Sequence, residues 1–315
     1  MPDFLDLKIF ARVVEAGSLS AAGRELHISP TVISKRLTRL EEHLGVRLLQ
    51  RTTRQLTLTE IGEGYHERVV RVLDALEDSE TFVSGTGTPR GVLRVSAPTA
   101  FSRLHVAPRL RGFFERFPDI RLELDLSDHY VDLVGGGFDV VVRIGDLEDS
   151  SMVARKLAPN RRIFCATPEY LAEHGEPRTL DDLAQHRLLT ASAVIEWNLE
   201  GPGGSAVIHP RSILETNSSE VVREAVVSGM GIGLRSTWDV SNELRNGTLK
   251  RILPDYVGSP KVAIYAIYPS RRLVPPKVRA FVDYLTELFG PEPYWDRGLE
   301  VDTLHHLPGQ VASAT

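Results

Sequence analysis

The segment from Ser18 to Arg54 constrains the fold of this chain more than any other part of its sequence. Within it, Ser29 is a favourable N-cap, and Pro30 suits the first helical turn, where no amide hydrogen is needed. Apolar residues then recur at helical spacing along one stripe, at Ile33, Leu37, Leu40 and Leu44. Small or cationic side chains share the opposite stripe, at Thr31, Ser34, Lys35 and Thr38. The pattern predicts a helix with one face that packs and another that is free to make contacts.

A second, shorter helix is predicted just upstream, from Ser18 to Leu26, with Ser18 as its cap. Only His27 and Ile28 separate the two helices. Two helices across so short a turn form a helix-turn-helix, whose second helix would lie in a major groove. An ordinary pair of packed helices is the alternative interpretation of these residues.

The residues after Gly45 predict a small two-stranded wing with cations at its tip, because a basic stretch at 50–54 is followed by alternation at 56–58. Between Ser29 and Arg54 there are six Lys or Arg residues against two acids, a balance of +4 on a chain of net charge −5. Such a basic island suits phosphate contact, although a solvated charged face is the alternative.

Five ordered segments of this region resemble the DNA-binding half of the LysR-type transcriptional regulators: 18–26, 29–34, 40–49, 51–54 and 58–62. The match runs for some forty residues, so it is far more specific than a short motif. Many members of that family carry Gln where Pro30 stands, so one polar contact with a base is missing or replaced here.

The resemblance implies that this module binds double-stranded DNA. The helix would face bases and phosphates, and the wing would reach the flanking backbone or minor groove. The residues expected to contact DNA are Ser29, Pro30, Thr31, Ser34, Lys35, Arg36, Thr38, Arg39, Arg51, Thr53 and Arg54.

A long helix is predicted from Thr59, because apolar residues recur at spacings of three, four or seven as far as Val83. It could pack on its own domain, which is the simpler alternative. The resemblance implies instead a linker helix that pairs two chains, giving a homodimer or homotetramer. A two-fold dimer would read a pseudo-palindromic operator.

With 315 residues, the chain is expected to hold two or three domains. The predicted divisions are an all-α winged helix-turn-helix domain, a linker helix, a hinge, an effector-binding domain and a flexible tail, at 1–58, 59–84, 85–91, 92–290 and 291–315. No apolar run approaches the roughly 20 residues needed to cross a bilayer. The N-terminus lacks a secretory signal pattern, so a cytoplasmic protein is expected.

Beyond the hinge, strands and helices alternate, which predicts an α/β domain with a mainly parallel sheet. Strands are expected at 92–95, 120–124, 140–142, 163–166, 232–234 and 262–268, and helices at 104–117, 130–134, 168–174, 218–228 and 276–289. The segments 138–145, 167–171 and 229–234 resemble the effector domain of the same family. That domain resembles a type 2 periplasmic binding protein, which implies lobe I at 92–161 and 266–290, lobe II at 162–265, and a small-molecule effector between them.

The effector contacts are expected where strands end and helices begin, because helix amides favour anions there. Ser96 and Thr99 offer hydroxyls at such a junction, with helix capping as the alternative role. Arg143 ends a strand and could pair with a carboxylate effector, or with Asp146 or Asp149. Trp197 could cover a ring or alkyl chain, or belong to the core. The expected contacts, partly implied by the resemblance, are Ser96, Thr99, Ala100, Arg143, Thr190, Ser192, Trp197 and Asn217.

Other motifs are weak. Cys165 is the only cysteine, which excludes an intramolecular disulfide and a cysteine-rich metal site, and it lies in a strand pattern that favours burial. His305 and His306 are adjacent and make a poor metal site. No catalytic motif is present, so we expect no enzyme activity, no cofactor and no metal. The competing class is a small-molecule-binding protein or enzyme with only non-specific DNA association.

Overall fold

The computed structural model describes residues 3–51, 56–83, 88–128, 133, 135–147, 153–192, 194–269 and 274–299. The chain divides into two compact units, residues 1–91 and 92–315. In the described part, no helix is both long and apolar enough to cross a membrane.

In its described residues, the first unit contains four helices and a two-stranded antiparallel wing. The helices are α1 (Phe4–Ala16), α2 (Leu19–Leu26), α3 (Pro30–Leu44) and α4 (Glu60–Val83), and the strands are β1 (Leu49–Arg51) and β2 (Leu56–Leu58). The side chains of Asp3, Ser18 and Ser29 accept the capping hydrogen bonds of α1, α2 and α3. The helix-turn-helix predicted from those caps is therefore confirmed.

The core of the first unit is formed by the apolar stripes of its helices, including Phe10, Ile33, Leu37 and Leu40. The wing is attached to this core by Glu41, whose carboxylate accepts hydrogen bonds from the amides of Leu48 and Leu49 at 2.9 and 3.0 Å. Near the start of α4, a Cβ on Gly62 would lie 2.0 Å from the Leu48 carbonyl oxygen. Glycine is therefore required where the long helix passes the wing.

The second unit consists of two lobes, each built on one sheet. Its strands are β3 (Gly91–Ala97), β4 (Ile120–Leu126), β5 (Val140–Gly145), β6 (Val153–Pro159), β7 (Arg162–Ala166), β8 (Leu188–Leu189), β9 (Trp197–Gly201), β10 (Gly204–Ile208), β11 (Ile232–Ser236), β12 (Lys250–Gly258) and β13 (Ala263–Tyr268). Lobe I has the order β4-β3-β5-β13-β6, and lobe II the order β10-β9-β12-β7-β11-β8. The chain crosses between the lobes at 159–162 and returns at 258–263.

The prediction of a mainly parallel sheet is wrong. β3 with β5 and β8 with β11 run parallel, whereas β13 is antiparallel to both β5 and β6, and β7 is antiparallel to both β11 and β12. Apolar runs show that a strand is buried but do not show its direction.

The helices of the second unit are α5 (Thr99–Phe101), α6 (Leu110–Arg116), α7 (Pro168–His174), α8 (Ser219–Val227), α9 (Thr237–Arg245) and α10 (Pro276–Phe289). Between α5 and α6 the chain forms a π-helical turn and then a 3-10 turn rather than the regular helix predicted at 104–117. Pro108 explains the irregularity, because it has no amide hydrogen to donate. The predicted helix at 130–134 lies outside the described residues, except for Leu133.

The chain after α10 is packed as far as residue 299, first on lobe I and then against α9 of lobe II, where Arg245 donates to the Trp295 and Arg297 carbonyl oxygens at 2.7 and 3.0 Å. The flexible tail predicted from residue 291 therefore begins too early. Trp295 is 1% exposed and lies against Phe101 and Phe289. Asp296 accepts a hydrogen bond from Arg161 at 2.6 Å. Residues 300–315, including His305 and His306, lie outside the described part.

His105 lies in the same aromatic cluster and is 5% exposed. Its Nε2 is 3.0 Å from the Trp238 carbonyl oxygen, which can only accept, so Nε2 carries the proton and Nδ1 accepts from the Tyr294 hydroxyl at 2.5 Å. Burial lowers the pKa of His105 from 6.5 to about 4, outweighing the opposite effect of the Trp238 hydrogen bond.

We expect the second unit to lose stability as the pH falls from 6.5 towards 4, because the unfolded chain takes up a proton in that window and the folded one does not. The full loss is roughly 3 kcal/mol for a shift of this size. Thermal unfolding followed by circular dichroism between pH 7 and 4.5 measures it. His105→Gln should flatten the dependence, whereas the exposed His209→Gln should keep it; equal curves for both variants would contradict the assignment.

Candidate nucleic-acid interface and ligand cavity

The face of α3 opposite its apolar stripe carries the side chains that the sequence predicted for it. Ser29, Pro30, Thr31, Lys35 and Thr38 are exposed, and Ser34 is half-buried. The Thr38 hydroxyl donates to the Ser34 carbonyl oxygen at 3.0 Å and keeps its lone pairs available as acceptors. The face therefore offers hydroxyl groups and one cation at the start of the helix.

Arg36 and Arg39 are held by α1. The carboxylate of Asp6 accepts from Arg36 Nη1 at 2.8 Å through one oxygen and from Arg39 Nη2 at 2.7 Å through the other. Asp3 also accepts from Arg36, at 3.1 Å. Burial would raise the pKa of Asp6, but the hydrogen bonds from Arg39 and Arg36 outweigh it and the pKa is lowered. Asp6 was missed in the sequence, although its position among Leu5, Ile9 and Phe10 places an acid on the buried stripe of α1.

The wing residues are described only in part. The backbone of Arg51 ends β1, in register with Leu56. Thr53 and Arg54 lie outside the described residues.

A cavity of about 310 Å³ lies between the two lobes of the second unit. Its lining comes from strand ends of lobe I, from the first crossing between the lobes, and from the turns before α8 and α9. The polar and charged lining residues are Ser96, Ser127, Asp128, Arg143, Asn160, Arg162, Thr190, Asn217, Ser219, Arg235 and Ser236. The apolar lining includes Pro98, Val141, Leu189 and Trp238.

Five of the predicted effector contacts line this cavity, namely Ser96, Ala100, Arg143, Thr190 and Asn217. Thr99 and Ser192 do not. Thr99 begins α5 and donates its amide to the Asp128 carboxylate at 3.0 Å, so Asp128 takes the capping role considered for the hydroxyls. The Ser192 hydroxyl is hydrogen-bonded to the Thr216 carbonyl oxygen at 3.0 Å.

The expectation that Trp197 covers a ligand is wrong. Its side chain is 1% exposed and packs edge-on against Phe164 in the core of lobe II. Trp197 begins β9, and alternation in that strand turns it inwards together with Leu199. The aromatic side chain at the cavity is Trp238 instead.

Arg162 is the lining residue of greatest chemical consequence, and it was not among the predicted contacts. It is half-buried at the start of β7, and among the described residues its guanidinium has no hydrogen-bond or ion-pair partner. Burial and, to a smaller extent, the charge of Arg235 lower its pKa to about 10. The Arg161–Arg162 pair immediately before the apolar strand 163–166 was the available signal.

Arg235, the second missed cation, is already paired with a carboxylate. Its Nε donates to Asp239 Oδ2 at 2.9 Å, and its Nη2 donates to the same carboxylate and, at 3.1 Å, to the Ser219 carbonyl oxygen. Beside it, Trp238 Nε1 donates to Asn160 Oδ1 at 2.9 Å. This last bond joins α9 to the first crossing between the lobes at the wall of the cavity.

The two parts of the chain match two family models. Residues 4–63 match the bacterial regulatory helix-turn-helix protein, lysR family, and residues 86–290 match the LysR substrate binding domain. The chain belongs to the LysR family of transcriptional regulators.

Proteins that are similar to this LysR-type chain over most of its length are transcriptional regulators. The transcriptional regulator DmlR of Escherichia coli is 37% identical over 305 residues, which are 95% of this chain and 98% of DmlR. Among solved structures, full-length AphB of Vibrio cholerae is 32% identical with a TM-score of 0.57, covering 90% of this chain and 99% of AphB. CrgA of Neisseria meningitidis is 35% identical with a TM-score of 0.57, covering 90% and 97%. The LysR-type chain is thus a regulator and not an enzyme.

No cluster of three or more His, Cys, Asp or Glu side chains able to hold a metal is found in the described ranges of this regulator. Cys165 lies within β7, is fully buried, and has its Sγ 3.8 Å from the Gly233 carbonyl oxygen. Burial raises the pKa of its thiol to about 12. Because the thiolate is the reactive form, this cysteine is shielded both chemically and sterically.

We expect the native regulator to leave Cys165 unlabelled by a water-soluble disulfide reagent at pH 8. Reaction requires local unfolding of lobe II, so labelling should be about a hundredfold slower than in guanidinium chloride. Absorbance of the released thiolate measures both rates. Rapid stoichiometric labelling of the folded protein would contradict the burial of this thiol.

Proposed function

We propose that this LysR-type regulator binds a pseudo-palindromic operator as a homodimer or higher homo-oligomer and is controlled by a small anionic effector, a carboxylate in particular, held between its two lobes. The observation that carries the effector proposal is Arg162, a half-buried guanidinium at the cavity with no counter-ion among the described residues.

An anion is the ligand that such a cavity favours. Removing a charge from water without a partner is costly, and the nearby charge of Arg235 adds repulsion. A carboxylate would relieve both effects and could accept two parallel hydrogen bonds from the guanidinium fork. The cavity volume of about 310 Å³ is at the small end of the range for ligand pockets, which supports a compact acid.

An effector in the cavity would contact both lobes, so its binding would favour one arrangement of the lobes over another. Ser96 and Arg143 line the cavity from lobe I, and Thr190 and Asn217 line it from lobe II. A ligand that hydrogen-bonds to both sides binds the closed arrangement more tightly than the open one and shifts the population towards it. We infer that closure, transmitted through the oligomer, alters DNA bending.

The linker helix α4 supports the proposed dimer. Its exposed apolar side chains include Ile61 at 59%, Val72 at 53% and Leu76 at 39%. They share the stripe identified in the sequence, and pairing with a second α4 would remove them from water. A two-fold dimer would place two α3 helices in major grooves one or more helical turns apart. Protection of two half-sites in the DNA beside the regulator's own gene, above random competitor, would test this arrangement.

Arg162→Gln should weaken effector binding by about 10- to 100-fold, the worth of one charge-assisted hydrogen-bonded pair. Isothermal titration with a panel of small carboxylates and their uncharged amides identifies the ligand and measures the loss. Arg111→Gln, which removes an exposed guanidinium on α6, is the matched control and should bind normally. Preference of the wild-type protein for the uncharged compounds would overturn the anionic assignment.

Lys35→Ala and Thr31→Ala should separate phosphate contact from base reading. Loss of Lys35 should weaken binding to all DNA and reduce the slope of log affinity against log salt by about one. Loss of Thr31 should cost about 1–3 kcal/mol on the operator and little on random DNA. Fluorescence anisotropy at several salt concentrations measures both, with Lys261→Ala in the effector domain as the control. Equal losses on the two DNAs for Thr31→Ala would remove it from base reading.

A further inference from the structure

The first helix and the recognition helix α3 are joined by one buried carboxylate. Asp6 is 2% exposed, and each of its two oxygens accepts a hydrogen bond from a different arginine of α3. Both contacts span about thirty residues of sequence and are shorter than 3 Å. The arrangement is therefore a built feature of the tertiary structure.

Stability alone is a weak explanation for this carboxylate. Asp6 lies on the apolar stripe of α1, beside Ile9 and Phe10. Replacing a buried ion pair by apolar residues of similar volume is often neutral or stabilising. An acid at this position does something that an apolar side chain cannot do, which is to fix the direction of the two guanidinium groups.

The two arginines are used differently. Arg36 is 27% exposed, and its Nη1 is shared between Asp3 and Asp6, so it acts as a strut between α1 and α3. Arg39 is 61% exposed and is bound only through Nη2. In the part of the chain that the structure describes, its Nε and Nη1 donate no hydrogen bond, so these two donors remain available on an exposed side chain.

We propose that Asp6 is a positioning residue for DNA binding. It holds the Arg39 guanidinium in the orientation in which its N–H groups donate to a backbone phosphate. This inference rests on the proposed function, in which α3 enters the major groove. A guanidinium fixed before DNA arrives loses less freedom on binding than a mobile one. Its fork geometry also matches two phosphate oxygens, which makes orientation matter more than for a lysine.

The proposal predicts that Asp6→Asn changes operator affinity in the direction opposite to that expected from long-range electrostatics. Asp6→Asn removes a negative charge from the DNA-binding unit, and long-range attraction to DNA would then increase. If Asp6 positions Arg39, the same substitution instead weakens operator binding, by about tenfold for one poorly oriented phosphate contact. The salt slope should also fall by about one.

Asp3→Asn is the matched control. It removes the same unit of charge from the same end of α1, and asparagine is as good an N-cap as aspartate. Asp6 keeps both arginines in this variant, so operator affinity should be unchanged or higher. Fluorescence anisotropy of full-length variants on operator and scrambled DNA, across a salt series, measures these quantities.

A double-mutant cycle separates positioning from a general structural role. If Asp6 acts through Arg39, Asp6→Asn should cause no further loss of affinity in an Arg39→Ala background. Additive losses, or tighter binding by Asp6→Asn alone, would overturn the proposal. Arg39→Ala without any change in affinity or salt slope would show that Arg39 contacts no phosphate and would also overturn the proposal, whereas loss of operator binding by Lys35→Ala in the same assay would leave the proposed function standing.

Arg39→Lys provides a second test should Asp6→Asn fail to fold, as judged by circular dichroism. Lysine retains the charge and a partner for Asp6 but lacks the fork. Operator affinity should fall about tenfold with the salt slope retained, because the charge remains while the oriented contact is lost. Wild-type affinity for Arg39→Lys would overturn the proposal.

Discussion

The double crossing of the chain between two sheets is the constraint on which the effector domain depends. At the first crossing, Asn160 is hydrogen-bonded to Trp238, Arg161 is paired with Asp296, and Arg162 lines the cavity. These three consecutive residues therefore link α9, the C-terminal segment and the lining of the cavity.

The arginines of this protein differ in how many carboxylate groups they contact, and this difference determines what each arginine can do. Arg235 forms a salt bridge with Asp239 inside the fold, and Arg36 is shared by two carboxylates. Arg162 has no acid partner in the described residues, and Arg39 is held on one side only. An arginine whose N–H groups are already bonded to carboxylates of the fold serves the structure, whereas one with N–H groups left over can bind a ligand or a phosphate.

Local patterns predicted much of the architecture, since caps and apolar periodicity act over a few residues. The helix at 276–289 and the helix-turn-helix between Ser18 and Gly45 follow from such signals. Strand direction and the roles of Asp6, Arg162 and Trp238 could not be predicted in the same way. They depend on contacts between segments distant in sequence, and no periodicity records which partner a side chain meets.

The order of strands in lobe I has a consequence for synthesis. Strand β13 lies between β5 and β6, yet it is made more than a hundred residues after they are. While the nascent chain emerges from the ribosome, β3, β4 and β5 can pair as soon as they are made, whereas β6 has no neighbour in its sheet. The lobe I sheet is therefore completed only after the return crossing, and until then β6 exposes an unpaired strand edge of the kind that promotes misassembly.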